Sequence, residues 1–508
     1  MTSNQAYMQR LPSLTMIRVF TVLMSLFLSW LAVTLHSQPN TDAYTYIRAA
    51  DMALQAGIPA AYEHHQWAHL SVLIALLTKL TGIDLLQSAY VISALMYAFL
   101  SLCFVNLVAA LAPTRRVVWL ATIVILSYPH INEFRSYIIR DIGFLAFMLA
   151  AMLQLLQYNR SLLMRHVSLF IVFCLSASFF RPEALLFMFV TPVSLLMNRL
   201  LSENNRRRGF LRLESTALLL CALLLALVAW RESGLVSQLF SFASIYQPFL
   251  SNINIYFSGS DTISRAVFGE YGAQFSDQYT GLFLLTGLLS VLLASIIESL
   301  GWVAGGFLAY GLYRRYVKVE HTAMNIVLLW AGTALFILVA FILLTRFMTT
   351  RYTLMLGTTL LIFVPFIIDR AWSVSIANGR QKRFVGILIL AGLFAFIDSH
   401  ISFGDDKSHL DSALQYIQTQ TRQDAPLLTN EIYLAYSSGR VNDYEHIHRD
   451  MNAGEFMQAP VGTIVAVTVR RSFQSQLEAE IQRGALRLIE VFPAQRGGDF
   501  MIFEKELR

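Results

Sequence analysis

The chain has 508 residues, of which 56% are hydrophobic and only 14% charged, with a formal net charge of +6. A soluble domain carries roughly 25% charged residues, so this balance excludes a water-soluble globular fold for most of the length. The basic excess sits in short joints between apolar runs and forms no stripe of the kind that binds nucleic acid.

The apolar runs lack the alternation of a barrel strand, and a bilayer admits only helices or closed barrels. They are therefore read as helices. At roughly 20 residues per crossing the chain holds about eleven spans. These fall near 17–36, 85–111, 117–129, 141–157, 166–180, 184–198, 214–230, 279–313, 323–344, 352–369 and 384–398. The first is read as a retained span, because the small-residue cleavage pattern is missing before Gln38 and Pro39. The eighth is too long for one straight crossing, so it either bends at Gly301 or begins as an interfacial helix. Cys103, Cys174 and Cys221 all fall inside spans and read as small packing residues.

Basic residues cluster at Arg115-Arg116, Arg206-Arg207-Arg208, Arg314-Arg315 and Lys382-Arg383, all on the same side of this layout. The positive-inside rule then sets the N-terminus inside, and an odd number of spans sends the tail outside. Residues 1–400 are expected to form the membrane domain, with a first outer loop at 37–68. Residues 401–508 are expected to form an extracytoplasmic α/β domain. In that tail, 408–422 reads as an amphipathic helix, and 426–429, 463–469, 486–492 and 500–504 read as strands. A polar helix lies near 473–483. The tail contains no Gly-rich phosphate loop, nucleophile elbow or Cys/His metal spacing.

The chemistry concentrates on the outer joints, where acidic residues are in excess. The spans 117–129, 166–180 and 184–198 are shorter than a ~30 Å hydrocarbon core requires at ~1.5 Å per residue, so their outer tips are expected to line a recess, unless the helices run on and the tips reach the interface. In the first outer loop Asp42 precedes a Tyr-rich amphipathic helix (NTDAYTY). A carboxylate there suits a helix N-cap, or alternatively a general base. Arg135, Arg140 and Asp141 lie in SYPHINEFRSYIIRDIGF, Arg181 and Glu183 in FFRPEALLF, and Arg346, Arg351 and Tyr352 in LLTRFMTTRYTLMLG. The planar guanidinium forks suit a phosphate. Arg140–Asp141 and Arg181–Glu183 read alternatively as local structural pairs. Glu63, His64, His65 and His69 close the first outer loop, and His65 and His69 share helical spacing that a metal could use. Interfacial polar residues are the commoner outcome, and no metal is assigned. Glu298, inside the eighth span, faces either a cavity or a packed neighbour.

On NTDAYTY, IIRDIGF and FRPEALL, together with the layout of the whole chain, the sequence resembles the GT-C membrane glycosyltransferases. It is nearest in plan to the bacterial aminoarabinose transferase, Rgt-type and protein O-mannosyltransferase-like (glycosyltransferase 39-like) proteins. The resemblance implies an enzyme of a bacterial inner membrane that takes a sugar from a polyprenyl-phosphate donor and passes it to a lipid, glycan or protein acceptor on the outer face. It implies Asp42 as catalytic base or acceptor anchor. It implies some of Arg135, Arg140, Arg181, Arg346 and Arg351 as ligands of the lipid phosphate, beside Asp141, Glu183 and Tyr352. No cofactor is implied. Asp42 is followed by Ala43 where O-mannosyltransferases pair Asp with Glu, and the WWD signature of oligosaccharyltransferases is missing. Two alternatives remain: a polysaccharide polymerase or ligase with a lipid-diphosphate donor, whose late outer loop would be 231–278, and a lipid or glycan transporter without covalent chemistry.

Overall fold

The computed structural model describes residues 12–36, 38–112, 114–231, 247, 249–250, 256, 261–317, 319–400, 408–447, 451, 453–494 and 498–506. It is mostly helical, with a small C-terminal sheet. Much of the 231–278 segment lies outside the described residues.

Among the described residues six helices are long and apolar enough to cross a membrane. They lie at Leu14–Leu35, Leu85–Leu111, Asp141–Ser161, Glu203–Leu227, Asp261–Tyr313 and His321–Thr345. A seventh span results if Thr350–Leu361 and Val364–Ala377, bent by 40°, count as one. The remaining expected spans are helical, and three of them are short. The run at 117–129 is the helix Arg115–Leu126, and the run at 166–180 is Met164–Phe180. The run at 184–198 is α-helical only over Ala184–Val190, then tightens to a 3₁₀ turn at Thr191–Leu195, whose second residue is Pro192. Proline removes a backbone donor and so breaks the α ladder there. The last run is the helix Gln381–His400.

The expected bend is present: Gly301 sits at φ 67°, ψ 165° inside the helix Thr280–Tyr313. Only glycine enters that region without strain. Glu298, one turn earlier, is exposed on the same helix.

The chain forms two compact units. The first comprises residues 1–31, 93–135 and 140–400. Its helices Asp141–Ser161 and Met164–Phe180 form a hairpin. The first ends on Leu162 in the left-handed region, where the Leu162 N–H donates to the Tyr158 carbonyl. At the far end Gly143 lets the Phe180 ring approach; a Cβ would lie 2.5 Å from it. Phe147 stacks on Phe180 with centroids 5.9 Å apart. Trp330 is fully buried against Phe187, 5.2 Å between centroids. Arg116 pairs with Asp369 and donates to Ser373 Oγ at 2.9 Å, fastening the helix Arg115–Leu126 to Val364–Ala377.

The second unit comprises 32–92, 136–139 and 401–508. Its sheet has strand order β1-β2-β4-β3, with β1 Leu427–Thr429, β2 Ile464–Thr468, β3 Leu486–Phe492 and β4 Phe500–Lys505. β1 and β2 are parallel, and the other pairs antiparallel. Helices Ser408–Gln420 and Gln474–Gln482 stand where the periodicity puts them. Ile464 and Ala466 enter one core cluster with Leu410, Ile417 and Phe500, whereas Val465 and Val467 enter another with Phe456, Phe473 and Phe503. Burial on both faces explains the unbroken apolar run of β2.

The same unit holds the helices Thr41–Ala56, Ile58–His64 and His69–Thr81. Tyr44 packs edge-on against Tyr436 and Tyr444, centroids 5.4 and 6.4 Å away. Glu445 accepts from His64 Nε2 at 2.8 Å and lies 3.5 Å from Arg48 Nε. Local sequence predicts no such union of the first loop with the tail, because the partners stand hundreds of residues apart.

Candidate functional site

In the first unit the three arginine-bearing joints meet pairwise. His130 Nε2 lies 2.8 Å from the Thr350 carbonyl oxygen, joining the first joint to the third. Arg181 forms an ion pair with Asp141, joining the second to the first. The Arg181 guanidinium also lies over the Tyr352 ring, 4.8 Å from its centroid, joining the second to the third. Arg351 approaches the same ring at 5.4 Å.

Each contact has a local origin. Pro129 opens the short helix Pro129–Asn132, which carries the buried His130. Tyr128, just before it, donates to the Ser299 carbonyl. Gly357 makes room for that phenol, since a Cβ there would sit 2.7 Å from its oxygen. Met164–Phe180 ends as Arg181 turns extended, with φ −146° and ψ 123°. On the third joint, Arg346 adopts φ 55° and ends the helix His321–Thr345, its N–H donating to the Ile342 carbonyl. A left-handed non-glycine residue is uncommon.

The Arg181 side chain is only 12% exposed and that of Asp141 6%. Burial alone would lower the Arg181 pKa, but the Asp141 and Glu183 carboxylates outweigh it and the value is raised. The expected local pair is the weaker one: Arg181 Nη1 lies 3.9 Å from Glu183 Oε1. The dominant partner is Asp141, forty residues away in sequence. Arg181, Glu183 and Tyr352 border a small cavity of about 30 Å³ with Phe144, Phe187 and Leu338. Arg181 Nε and Glu183 Oε2 are buried there without a hydrogen-bond partner among the described residues.

Arg135 has a different setting. It is 1% exposed, and its charge is held by neutral groups. Nε donates to Asn132 at 2.7 Å, and Nη1 to the Ser25 carbonyl at 3.0 Å and Ser29 Oγ at 2.9 Å. The guanidinium stands 4.8 Å from the Tyr97 ring centroid. Burial lowers its pKa to about 10, which leaves it protonated at neutral pH. This arginine braces the joint against the first span. Arg140 is the residue preceding the helix Asp141–Ser161, and Arg346 lies 5.9 Å from the Tyr256 ring centroid.

Asp42 belongs to the second unit. The N-cap of its helix is Asn40, so Asp42 does not cap but lies in the first turn. There its charge complements the helix dipole. Asn40 exchanges hydrogen bonds with the Ile138 backbone instead of capping, at 2.8 and 3.4 Å. His65 and His69 pack edge-on against Tyr46 and Tyr62 at 5.5 and 5.2 Å. Among the described residues no three His, Cys, Asp or Glu side chains gather as metal ligands.

The sequence reading missed His130, although it lies in the quoted segment, and also Tyr128 and Tyr97. Their signal would have been an aromatic or imidazole beside arginine, too common to single out. Comparison with protein-family models and with curated proteins returned no match to this chain.

Proposed function

We propose that this is a membrane glycosyltransferase of GT-C type, which transfers a sugar from a polyprenyl-phosphate donor to an acceptor at the outer face of a bacterial inner membrane. In this reading the chain crosses about eleven times, the short helices included, with its N-terminus inside and residues 401–508 outside. The observation that carries the proposal is the pairwise meeting of three arginine-bearing joints around Arg181 and Tyr352. These joints carry five arginines, at 135, 140, 181, 346 and 351, against three carboxylates, at 133, 141 and 183. The balance favours an anionic guest.

The chemistry needs no nucleotide. The acceptor hydroxyl or amine attacks the sugar C1, the bond from C1 to the phosphate oxygen breaks, and the lipid phosphate leaves with that electron pair. Arg181 and Arg351 stabilise the charge gathering on the leaving phosphate. Asp42 is assigned, on the sequence resemblance alone, to take the acceptor's proton. The anomeric centre inverts in a single displacement of this kind.

The test is turnover of a polyprenyl-phosphate sugar by purified protein. Arg181→Ala is expected to lower kcat/KM by about 10²-fold or more, and Asp42→Asn to lower kcat with little change in donor binding. Full activity in Asp42→Asn would remove the base assignment. Unchanged activity in both variants would remove the site.

A further inference from the structure

A second feature of the first unit lies away from the arginine-bearing joints. A groove of about 700 Å³ runs between the helices Leu14–Leu35, Leu85–Leu111 and Asp141–Ser161. That volume falls within the roughly 300–1,000 Å³ of ligand pockets. Three polar side chains line it: Arg18, Asn106 and Gln157. Each stands four or five residues from the end of its helix, at one common end, roughly 6–8 Å from the terminus at ~1.5 Å per residue. One turn deeper on the same three helices the lining becomes Val22, Leu102 and Leu153, with Leu23 beside them. The groove is thus amphiphilic along its length, with a polar ring at its mouth and a hydrocarbon wall beneath.

Arg18 sets the sign. It lies on an apolar helix that is long enough to cross a membrane, where a charge is costly without a partner. Its Nε donates to Asn106 Oδ1 at 2.8 Å, which fixes the guanidinium at the groove. No carboxylate pairs with it among the described residues, and both Nη groups remain to donate. The nearby Arg160 is already neutralised by Glu320 at 2.7 Å, and its Nη1 donates to the carbonyl of Ala110, a groove residue. The groove therefore presents one uncompensated positive charge over an apolar channel.

We propose that this groove is a binding site for an anionic glycerophospholipid. The phosphate accepts hydrogen bonds from the Arg18 Nη groups, and one acyl chain lies along Val22, Leu23, Leu102 and Leu153. The occupant is a lipid because the apolar wall continues directly from the charge. A free phosphate would satisfy Arg18 and leave that wall exposed. The site is independent of the transferase reading.

The test reconstitutes the full chain into vesicles of equal parts phosphatidylglycerol and phosphatidylcholine, then counts retained lipids by native mass spectrometry. The parent is expected to retain phosphatidylglycerol about tenfold over phosphatidylcholine, because both carry the phosphate but the choline cation of the latter is repelled by the Arg18 charge and offsets its attraction. Arg18→Gln is expected to bring the two lipids to parity. Arg208→Gln, which removes an exposed charge elsewhere, is expected to keep the preference. Leu23→Trp, at an exposed wall position, is expected to displace both lipids without unfolding the core. Equal retention of the two lipids by the parent overturns the proposal, as does an unchanged preference in Arg18→Gln. Cross-linking that places a second copy of the chain on the groove overturns it as well.

Discussion

Arg181 and Arg135 show how the same residue type takes two roles a few helices apart. Arg181 is balanced by a carboxylate, Asp141, at a buried site. Removing one member leaves the other charged and alone, so Arg181→Ala is expected to destabilise the protein by about 3–5 kcal/mol. Adding Asp141→Ala is expected to restore part of that loss, which a double-mutant cycle in denaturant unfolding measures. Arg135, by contrast, is held by the Ser25 carbonyl, Ser29 and Asn132 without a carboxylate. Arg135→Lys keeps the charge but loses the fork that reaches these groups together, with an expected loss of about 1–2 kcal/mol. At this scale the residue types were legible in the sequence and their partners were not. FRPEALL invites pairing of Arg181 with Glu183, yet the closer partner comes from IIRDIGF, because the helix hairpin between them folds the two tips together.

At the scale of elements, glycine separates two kinds of constraint. Gly301 has open space around its Cα, so Gly301→Ala meets only the backbone strain of φ 67°, ψ 165° and is expected to cost about 1–3 kcal/mol. Gly143 adopts ordinary helix geometry but faces the Phe180 ring, and Gly143→Ala is expected to cost about 1–3 kcal/mol through overpacking. Thermal unfolding of the detergent-solubilised protein compares the two. The bend at Gly301 was legible because the apolar run exceeds one crossing and contains glycine near its middle. The strands of the tail were legible too, since TIVAVTV is apolar on both faces and β2 is buried on both. The short helix His69–Thr81 was missed: its thirteen residues fall below a span, and Gly82 ends it in the left-handed region.

For the molecule as a whole, the sequence divides at about residue 400 by texture, whereas the second unit gathers 32–92 with 401–508. Tyr44 against Tyr436 and Tyr444 is a contact of high sequence separation, which no local pattern announces. It has a measurable signature. Burial raises the pKa of Tyr44, Tyr433 and Tyr444 above the ordinary value of about 10. The folded state holds these protons longer than the unfolded chain, so this contribution is complete below about pH 10 and is lost as pH rises through the raised folded values. Unfolding followed by tyrosine absorbance is expected to show that loss, and Tyr433→Phe to reduce it. Under the proposed orientation, a membrane-impermeant maleimide is expected to label Arg422→Cys in intact cells and to spare Arg207→Cys. Under the proposed function, the Arg181–Asp141 pair has a kinetic consequence: Asp141 is a resident counter-ion, and the proposed phosphate would compete with it for the same guanidinium. That competition would weaken binding of the guest and favour quick release of spent carrier. Asp141→Asn is expected to tighten donor binding and to slow turnover at the release step.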